Sequence, residues 1–287
     1  MDNETKGSAK HLIKQLENIE WGQYREDEKT WILRALIKAA QGWQSNHNLE
    51  PTIGKLIVSS AGYCHCCRTQ VTFSSSDGWL RDHYACLNCG STPRERNLMR
   101  ALDELVPGWP QKEIHESSPS SMRIKNMCNG YSYSYYDPGT DYGSMLPTGG
   151  TCENLERLTL QTGSVDVFIT QDVLEHVMDP AAACKEILRT IKPGGWFLFT
   201  TPRHPDLKTS IQRAKIECGK IQYILEPEYH GSPNGDGRAL VTYDWGMDFE
   251  TLVKDWCGIE VVTRATVDHA RGIDGAFFEV FAVQRPH

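Results

Sequence analysis

The sequence lacks long hydrophobic runs. Among its 287 residues, no stretch approaches the roughly 20 consecutive apolar residues of a membrane-spanning helix. The first residues, Met1 to Lys6, are polar and do not resemble a secretion signal. We therefore expect no association with a membrane, and we expect a cytoplasmic protein whose cysteines stay reduced.

An excess of positive charge is also missing. The chain has 30 lysine and arginine residues against 37 aspartates and glutamates, a formal net charge of −7. This balance disfavours general binding to nucleic acid, although it is compatible with a local basic patch. Apolar residues make up 39% of the chain, enough for the core of one large domain or of a catalytic domain with an accessory module.

Cysteine, in contrast, is abundant. Four of the ten cysteines form two Cys-x2-Cys pairs separated by 18 residues. Two such pairs are typical of a tetrahedral zinc ribbon, because each turn can present two thiolates to one ion. Gly90 follows the second pair, where a turn of this kind favours glycine. The sequence therefore predicts a structural zinc ion with four ligands: Cys64, Cys67, Cys86 and Cys89.

Several alternatives stay open for this module. Cys66 could replace Cys67 as a ligand, and His65 could be a ligand or a bystander. The paired cysteines could instead form a redox dithiol. The remaining single cysteines are typical of small buried apolar side chains: Cys128, Cys152, Cys184, Cys218 and Cys257.

Residues 164–202 have the pattern of a strand, a helix, a turn and a second strand. Residues 165–169 form an apolar, β-branched run, which is typical of a strand buried on both faces. Asp172 is predicted to begin the helix as its N-cap, and apolar residues recur at helical spacing as far as Ile191. Pro180 is predicted to restart the helix after a short break, since proline fits a first turn.

A Lys-Pro-Gly-Gly sequence at 192–195 is predicted to end this helix, and residues 196–200 form the next buried strand. A βαβ unit of this kind belongs to an open parallel sheet. Ligands of such sheets bind at the carboxyl ends of the strands, so functional residues are expected there.

These residues closely resemble the class I S-adenosylmethionine-dependent methyltransferases. In that family, Val-Leu-Glu-His-Val marks the segment after the fourth strand and Lys-Pro-Gly-Gly the turn into the fifth; here they are residues 173–177 and 192–195. The resemblance covers roughly residues 110–285. It implies S-adenosylmethionine as cofactor and a Rossmann-like α/β fold, with a mostly parallel seven-stranded sheet whose last strand is antiparallel.

The chain divides into three predicted parts. Residues 1–60 have amphipathic helical patterns and are expected to form an N-terminal helical cap, either a packing or dimerisation element or a lid over the substrate. Residues 61–92 form the zinc-ribbon module. Residues 93–287 form the methyltransferase domain, which begins with a helix at 93–106 and includes a substrate-side insert at 205–246.

The resemblance places the cofactor beside the first strand of that domain, where the sequence departs from the family. The family has a strand-end acid and then a glycine-rich loop. Here Glu116 is the acid, and serines, including Ser117, replace the glycines. Serine is small enough for close approach of the methionine moiety, but it does not tolerate every backbone angle of glycine. We expect Glu116 and Ser117 to bind near the α-amino group.

Further cofactor contacts are expected from later strands. Asp137 lies about 20 residues beyond the loop, where an acid accepts hydrogen bonds from ribose hydroxyls. The alternative for Asp137 is a turn residue before Pro138. The resemblance also implies contacts to the adenine and to the sulfonium region, from Asn154, Leu155, Gln171, Asp172 and His176.

Methyl transfer requires little chemistry from the protein, since the sulfonium is already a strong electrophile. A base helps when the acceptor is a hydroxyl, and His230 and Asp172 are the candidate catalytic residues. Asp172, Glu175 and His176 also resemble a Glu-x-x-Glu-His set that binds a divalent metal in some O-methyltransferases. Aspartate is shorter than glutamate, and an N-cap role needs no metal, so we predict transfer without a catalytic metal. Strong dependence of turnover on added Mg²⁺ or Mn²⁺ would instead make Asp172, Glu175, His176 and His230 the ligands.

The sequence thus predicts O-methylation of a small molecule or sugar-like metabolite. Nucleic acid is disfavoured as a partner, and a homodimer is compatible with the N-terminal helices. One alternative is an RNA or protein methyltransferase whose zinc ribbon binds the macromolecular substrate. Salt-dependent binding to RNA would support this alternative. The other is a cofactor-binding scaffold, which would bind S-adenosylmethionine without turnover.

Overall fold

The computed structural model describes residues 58–231 and 238–287. The predicted N-terminal helical cap therefore lies almost entirely outside the described residues, as does the 232–237 part of the predicted insert.

The described residues contain sixteen strands, four α-helices and three short 3-10 helices. The strands are β1 (Val58–Cys64), β2 (Thr69–Ser75), β3 (Ala85–Cys86), β4 (Glu113–Ser117), β5 (Gly130–Tyr135), β6 (Thr151–Cys152), β7 (Val165–Gln171), β8 (Ile191–Thr200), β9 (Ile211–Gln212), β10 (Ala214–Glu217), β11 (Lys220–Tyr223), β12 (Tyr229–Gly231), β13 (Arg238–Leu240), β14 (Tyr243–Asp244), β15 (Val262–Arg264) and β16 (Val280–Gln284). The helices are α1 (Leu80–His83), α2 (Pro93–Leu105), α3 (Pro180–Thr190) and α4 (Phe249–Cys257), and the 3-10 helices are Trp109–Gln111, Leu174–His176 and His269–Arg271.

Seven strands form one sheet in the order β15-β16-β8-β7-β4-β5-β6. The strands from β8 to β6 pair in parallel, whereas β16 runs antiparallel to both β8 and β15. The predicted Rossmann-like sheet with an antiparallel last strand is confirmed. The strand order reverses between β4 and β7, and in open α/β sheets the crevice at such a reversal binds ligands.

The central strands of this sheet are buried on both faces, which is consistent with their apolar side chains. Phe168 and Ile169 are fully buried on β7, as are Phe197 and Leu198 on β8. The strand predicted at 165–169 is confirmed and continues to Gln171.

The segment after β7 differs from the prediction. Asp172 has a φ of 52°, a left-handed conformation outside any right-handed helix. The 3-10 helix Leu174–His176 follows it, and α3 begins only at Pro180, where the side chain of Asp179 caps the first turn. The prediction that Asp172 is a helix N-cap is therefore wrong. Its carboxylate instead binds groups from other parts of the chain.

The Lys-Pro-Gly-Gly sequence also differs from the expected turn. β8 already begins at Ile191, and its pairing with β7 shifts from Val165–Ile191 to Val167–Trp196. Residues 192–195 therefore bulge out of a strand, with Gly194 at a φ of 76°. The helix ends at Thr190, directly before this strand.

The Cys-rich module is an antiparallel sheet of β1, β2 and β3, with α1 between the last two strands. β1 includes Val58, so the predicted boundary between residues 60 and 61 falls inside a strand. Phe73 and Tyr84 of this module pack in the same buried cluster as Leu98 of α2 and Ile169 of β7. The module and the large sheet thus share one hydrophobic core.

Helix α2 joins the two parts. It begins with a capping box between Thr92 and Glu95, and Pro93 occupies its first turn. The helix predicted at 93–106 is therefore confirmed, and it ends one residue earlier, at Leu105.

The predicted insert folds into small two-stranded pieces: β10 with β11, β12 with β13, and β9 with β14. Thr242 fixes the insert to the segment after β7, since its N–H and its hydroxyl donate to Glu175 O at 2.7 and 2.9 Å. Within the described ranges, no helix combines the length and the apolar character that crossing a membrane requires.

Candidate functional site

Two buried polar side chains meet where β4 and β7 end. Gln171 Nε2 donates to Glu116 Oε1 at 2.7 Å, and the Tyr131 hydroxyl donates to Glu116 Oε2 at 2.7 Å. Burial raises the pKa of Glu116 to about 7. Because β4 and β7 are parallel neighbours, their carboxyl ends lie at the same edge of the sheet. The structure thus brings Glu116 and Gln171 together, with Ser117 beside them on β4.

The serine-rich turn after β4 adopts a conformation that normally favours glycine. Ser118 has a φ of 53°, and its N–H donates to Ser134 O at 2.7 Å. A left-handed conformation costs a residue other than glycine about 1 kcal/mol. Such strained positions cluster at ligand sites. Replacement of glycine by serine therefore leaves the turn intact at a small energetic cost.

Only a narrow gap lies beside Glu116. Its volume is about 10 Å³, and it is lined by residues that include Glu116, Gln171, Ser121 and Arg123. The Arg123 guanidinium is held by Glu95 at 3.0 Å. A gap of this size holds about one water molecule. Direct contact between Glu116 and a cofactor therefore requires the segment with Ser121 and Arg123 to move.

Asp137, which follows β5, is held by its own turn. Its carboxylate accepts hydrogen bonds from the Thr140 hydroxyl at 2.7 Å and from the Gly139 N–H at 3.0 Å, and these two bonds lower its pKa. This is the turn arrangement that the sequence left open as the alternative to ribose binding. A carboxylate has about four acceptor sites, so Asp137 retains capacity for hydroxyl donors.

Asn154 and Leu155 follow β6. The Asn154 side chain accepts a hydrogen bond from Glu156 N–H at 2.9 Å and lies 3.5 Å from the Tyr142 hydroxyl. Leu155 is buried in the second apolar cluster of the protein, with Leu158 and the residues around α3. Of the two, Asn154 therefore offers the polar atoms at this end of the sheet.

Asp172 binds two arginines from the N-terminal half of the described chain. Its Oδ2 accepts from Arg94 Nη1 at 2.5 Å and from Arg81 Nη2 at 2.6 Å, while its Oδ1 accepts from the Thr200 hydroxyl at 2.9 Å. Arg81 belongs to α1 of the Cys-rich module, and Arg94 lies in the first turn of α2. The carboxylate thus ties that module to the carboxyl ends of β7 and β8.

Glu175, His176 and His230 form a compact cluster in which one ligand atom of each lies within 4.8 Å of the others. Burial and then the charge of Asp172 raise the pKa of Glu175 to about 8, and burial lowers the pKa of His176. The rings of His176 and His230 meet edge to face at 5.2 Å. Glu175 and His176 therefore lie beside His230, whereas Asp172 binds Arg81 and Arg94.

A cavity of about 200 Å³ opens next to this cluster. Glu175 and His230 line it together with His204, and aromatic side chains complete its wall: Trp79, Tyr243 and Phe277. The cavity therefore draws on the Cys-rich module, the segments after β7 and β8, the insert and the loop before β16. Its wall combines aromatic surface with charged side chains, among them Arg81, Glu228 and Asp244.

The four predicted cysteine ligands also converge. Their sulfur atoms lie within 4.8 Å of one another, with Cys64 and Cys89 at 3.8 Å and Cys67 and Cys86 at 3.9 Å. Zinc bound tetrahedrally by thiolates at about 2.3 Å sets sulfur atoms about 3.8 Å apart. The donor set and the spacing therefore fit a zinc ion.

The other possible ligands of this module lie elsewhere. The Cys66 side chain is buried in the core cluster, and Cys67 is the residue whose sulfur joins the other three. His65 Nδ1 is 2.8 Å from Asp103 Oδ2. Among the described residues, the geometry thus selects Cys67 and leaves His65 as a bystander.

Sequence reasoning missed the arginines at Asp172. Arg81 and Arg94 lie 91 and 78 residues from Asp172 along the chain, and no spacing rule connects residues so far apart. Thr200 was missed as well, although its position at the end of a predicted strand beside β7 was a usable signal.

Residues 143–199 match the family model of a methyltransferase domain. The matched segment contains β6, β7, α3 and nearly all of β8, and it therefore carries the predicted site residues from Asn154 to His176.

Two curated proteins are similar over parts of the chain. A dimethylglycine N-methyltransferase of Parasynechococcus marenigrum is 29% identical over 120 residues, 39% of this chain and 40% of that protein. A ubiquinone biosynthesis O-methyltransferase of Albidiferax ferrireducens is 46% identical over 41 residues, 14% of this chain and 16% of that protein. The chain thus spans about two fifths of the length of the first relative and less of the second.

Among solved structures, an S-adenosylmethionine-dependent methyltransferase from Mesorhizobium loti is similar over 67% of this chain and 100% of that one, with 14% identity and a TM-score of 0.43. A methyltransferase from Burkholderia thailandensis, solved with S-adenosylhomocysteine, covers 68% of this chain with 9% identity and a TM-score of 0.43.

Proposed function

We propose that this chain is an S-adenosylmethionine-dependent methyltransferase. One observation carries the proposal. The segment that matches a methyltransferase domain, residues 143–199, supplies the end of β7, and this end faces the buried acid Glu116 at the end of β4. In open α/β sheets this crevice binds the ligand. Relatives named as N- and O-methyltransferases support methyl transfer as the reaction.

The cofactor in this proposal lies along the carboxyl ends of β4, β5 and β6. Glu116 and Ser117 bind its methionine part, Asp137 its ribose and Asn154 its adenine. S-adenosylmethionine brings an electrophilic methyl group, so the protein has to hold the donor and exclude water. The ammonium group of the cofactor would favour the ionised form of Glu116 and lower the pKa that burial has raised.

The acceptor in this proposal occupies the cavity of about 200 Å³ beside Glu175 and His230. A volume of this size favours a small molecule, and a hydroxyl acceptor benefits from a base. His230 lines the cavity, and we assign it the role of the base that takes the proton from the acceptor hydroxyl. Asp172 binds Arg81 and Arg94, and we assign it the role of positioning the end of β7 for transfer.

We further propose that Cys64, Cys67, Cys86 and Cys89 bind a structural zinc ion. The distances between their sulfur atoms support this assignment. Zinc would cross-link β1 and β3 with the turns that follow them, and α1, which carries Arg81, lies between the two cysteine pairs. The ion would therefore also stabilise the contact between the Cys-rich module and Asp172.

Binding of S-adenosylhomocysteine, measured by calorimetry, tests the cofactor site. We expect the wild-type protein to bind, and we expect Asp137→Ala to weaken binding by about 1.5–3 kcal/mol, the usual range for hydrogen bonds to a charged group. The control is Asp141→Ala in the same exposed loop, which should leave the affinity unchanged. Equal affinities of wild type and Asp137→Ala would contradict the ribose assignment, and no binding by the wild type would contradict the proposed function.

The acceptor class can be tested with S-adenosylmethionine that carries a labelled methyl group. The protein is incubated with a cell extract that has been separated into small molecules, RNA and protein. We expect label in the small-molecule fraction. Label only in RNA or protein would instead favour docking through the ribbon, and cofactor binding without any label transfer would favour a scaffold.

A further inference from the structure

We infer that Glu175, His176 and His230 form a binding site for a divalent first-row transition-metal ion at the floor of the acceptor cavity. This inference rests on the proposed function, since it concerns how the acceptor is held at the same site. It departs from the sequence-based prediction of transfer without a catalytic metal, and Asp172, which the sequence placed in the candidate metal set, is not among the ligands.

The first argument is convergence. One donor atom from each of the three side chains lies within 4.8 Å of the other two. An ion that binds nitrogen and oxygen at about 2.1 Å needs donor atoms roughly 3.4 Å apart in a tetrahedral arrangement. His176 Nε2 and Glu175 Oε1 are 3.8 Å apart, so small side-chain movements would complete the geometry.

The second argument is the orientation of His176. Its Nδ1 lies 2.9 Å from the carbonyl oxygen of Leu240. A carbonyl only accepts, so Nδ1 carries the proton and Nε2 presents its lone pair toward Glu175. A ligand histidine in metalloproteins is fixed in this way, with its second nitrogen bound to a carbonyl or carboxylate.

The third argument is a buried oxygen atom without a partner. Glu175 is 1% exposed, and its Oε2 accepts from the Thr201 hydroxyl at 2.9 Å. Its Oε1 has no hydrogen-bond partner within the described structure. Buried carboxylate oxygens are normally satisfied, because an unpaired one costs roughly 1–3 kcal/mol. A cation between Glu175 Oε1, His176 and His230 would remove this deficit.

The surroundings explain why Asp172 takes no part. Arg81 and Arg94 both bind its carboxylate, at 2.6 and 2.5 Å, so its negative charge is already compensated. The carboxylate of Glu175 lies within the cluster itself and lines the cavity. It is therefore the acid available to a metal ion.

The donor set defines the class of ion. Two imidazole nitrogens and one carboxylate favour zinc, cobalt, iron or manganese over calcium and magnesium, which prefer oxygen ligands. Three protein ligands leave coordination positions open toward the cavity, as in catalytic metal sites. An acceptor oxygen bound there would be oriented and its pKa would be lowered, so that it could pass its proton to water. With the ion bound, His230 would act as a ligand and not as the base that it is in the metal-free site.

Cobalt(II) is a suitable probe for this site. The protein is first loaded with one equivalent of zinc per chain, which the four thiolates take up because soft sulfur ligands select it, and cobalt is added afterwards. We expect one further ion to bind, with visible d–d absorption and no thiolate charge-transfer band. Glu175→Gln keeps the side-chain volume and the Thr201 contact, and we expect it to weaken binding at least about tenfold.

Two further variants make the experiment decisive. His230 is half-buried on strand β12, and His230→Asn should weaken cobalt binding to a similar degree. His83→Gln, whose exposed ring contacts Asp77, is the matched control and should bind as the wild type does. No cobalt binding by the wild type, or wild-type cobalt affinity in both Glu175→Gln and His230→Asn, would overturn the inference.

Calorimetry with S-adenosylhomocysteine on the same samples separates this inference from the proposed function. Cofactor binding without cobalt binding would leave the methyltransferase proposal standing and remove the metal site. Cobalt binding without cofactor binding would leave the metal site standing and remove the methyltransferase proposal.

Discussion

The Cys-rich module and the insert both contribute to the acceptor cavity, but the protein holds them in different ways. The module shares its core with α2 and the large sheet. Arg96 of α2, a fully buried cation, also donates hydrogen bonds to the carbonyl oxygens of Tyr84 in the module and of Gly272 between β15 and β16. The insert is built of strands of two to four residues and exposes apolar side chains such as Ile216 and Ile221. We therefore expect the module to be the more firmly held side of the cavity and the insert to tolerate substitution more readily.

The largest expected effect concerns the cysteines. Cys86→Ser combined with Cys89→Ser should abolish zinc binding and lower the free energy of unfolding by at least about 5 kcal/mol, because metal binding is coupled to folding. Elemental analysis and urea denaturation measure both quantities. The exposed Cys218→Ser should resemble the wild type. If the double variant kept full stability and zinc content, the module would not be held by zinc and the comparison would fail.

The next effect concerns Arg96. Its guanidinium donates to the carbonyl oxygens of Ser91, Tyr84 and Gly272, and it lies 4.6 Å from the ring of Phe73. Arg96→Met should lower the free energy of unfolding by about 4 kcal/mol, because these buried carbonyls would lose their donor.

The matched control is Arg68→Met in the Cys-rich module, which removes a partly exposed ion pair with Asp103 of α2. It should cost at most about 1 kcal/mol. Thermal or urea denaturation of both variants checks the difference. A similar small effect of both substitutions would show that the module is not held through Arg96.

A third effect concerns Glu116 and depends on pH. Burial raises its pKa from 4.5 to about 7, so the folded protein favours the protonated form. Its contribution to stability is therefore fully present below about pH 4.5 and is lost as the pH rises to about 7. A shift of this size corresponds to about 3 kcal/mol.

Glu116→Gln should therefore flatten the pH dependence of the free energy of unfolding between pH 5 and 7, measured by urea denaturation without cofactor at about 0.5-unit steps. Glu113→Gln at the exposed start of the same strand is the control and should retain the wild-type dependence. An unchanged slope in Glu116→Gln would show that this carboxyl titrates normally.

The smallest effect is expected in the insert. Ile216 and Ile221 lie opposite each other on β10 and β11, and both are exposed. Replacing both by serine should change the free energy of unfolding by no more than about 0.5 kcal/mol. Ile169→Val in the core, which removes one buried methylene, should cost about 1 kcal/mol. A larger loss from the exposed pair would reveal a stabilising contact in the insert and weaken the contrast with the module.

The sequence by itself determined the elements whose signals are local. The strand at β7, the helix α2 with a proline in its first turn and the two cysteine pairs could be predicted, because hydrophobic period, helix-start signals and ligand spacing involve residues a few positions apart. The mostly parallel seven-stranded sheet and its antiparallel last strand came from the family resemblance, and they are confirmed.

Only the tertiary structure decided which of these residues act together. Asp172 had the spacing of a helix cap, but its backbone is in a left-handed conformation and its carboxylate binds Arg81, Arg94 and Thr200. His230 joins Glu175 through the folding of an insert whose own sequence has no strong periodicity. These contacts join segments far apart in the chain, and their partners are set by the packing of the whole sheet and of the modules that flank it.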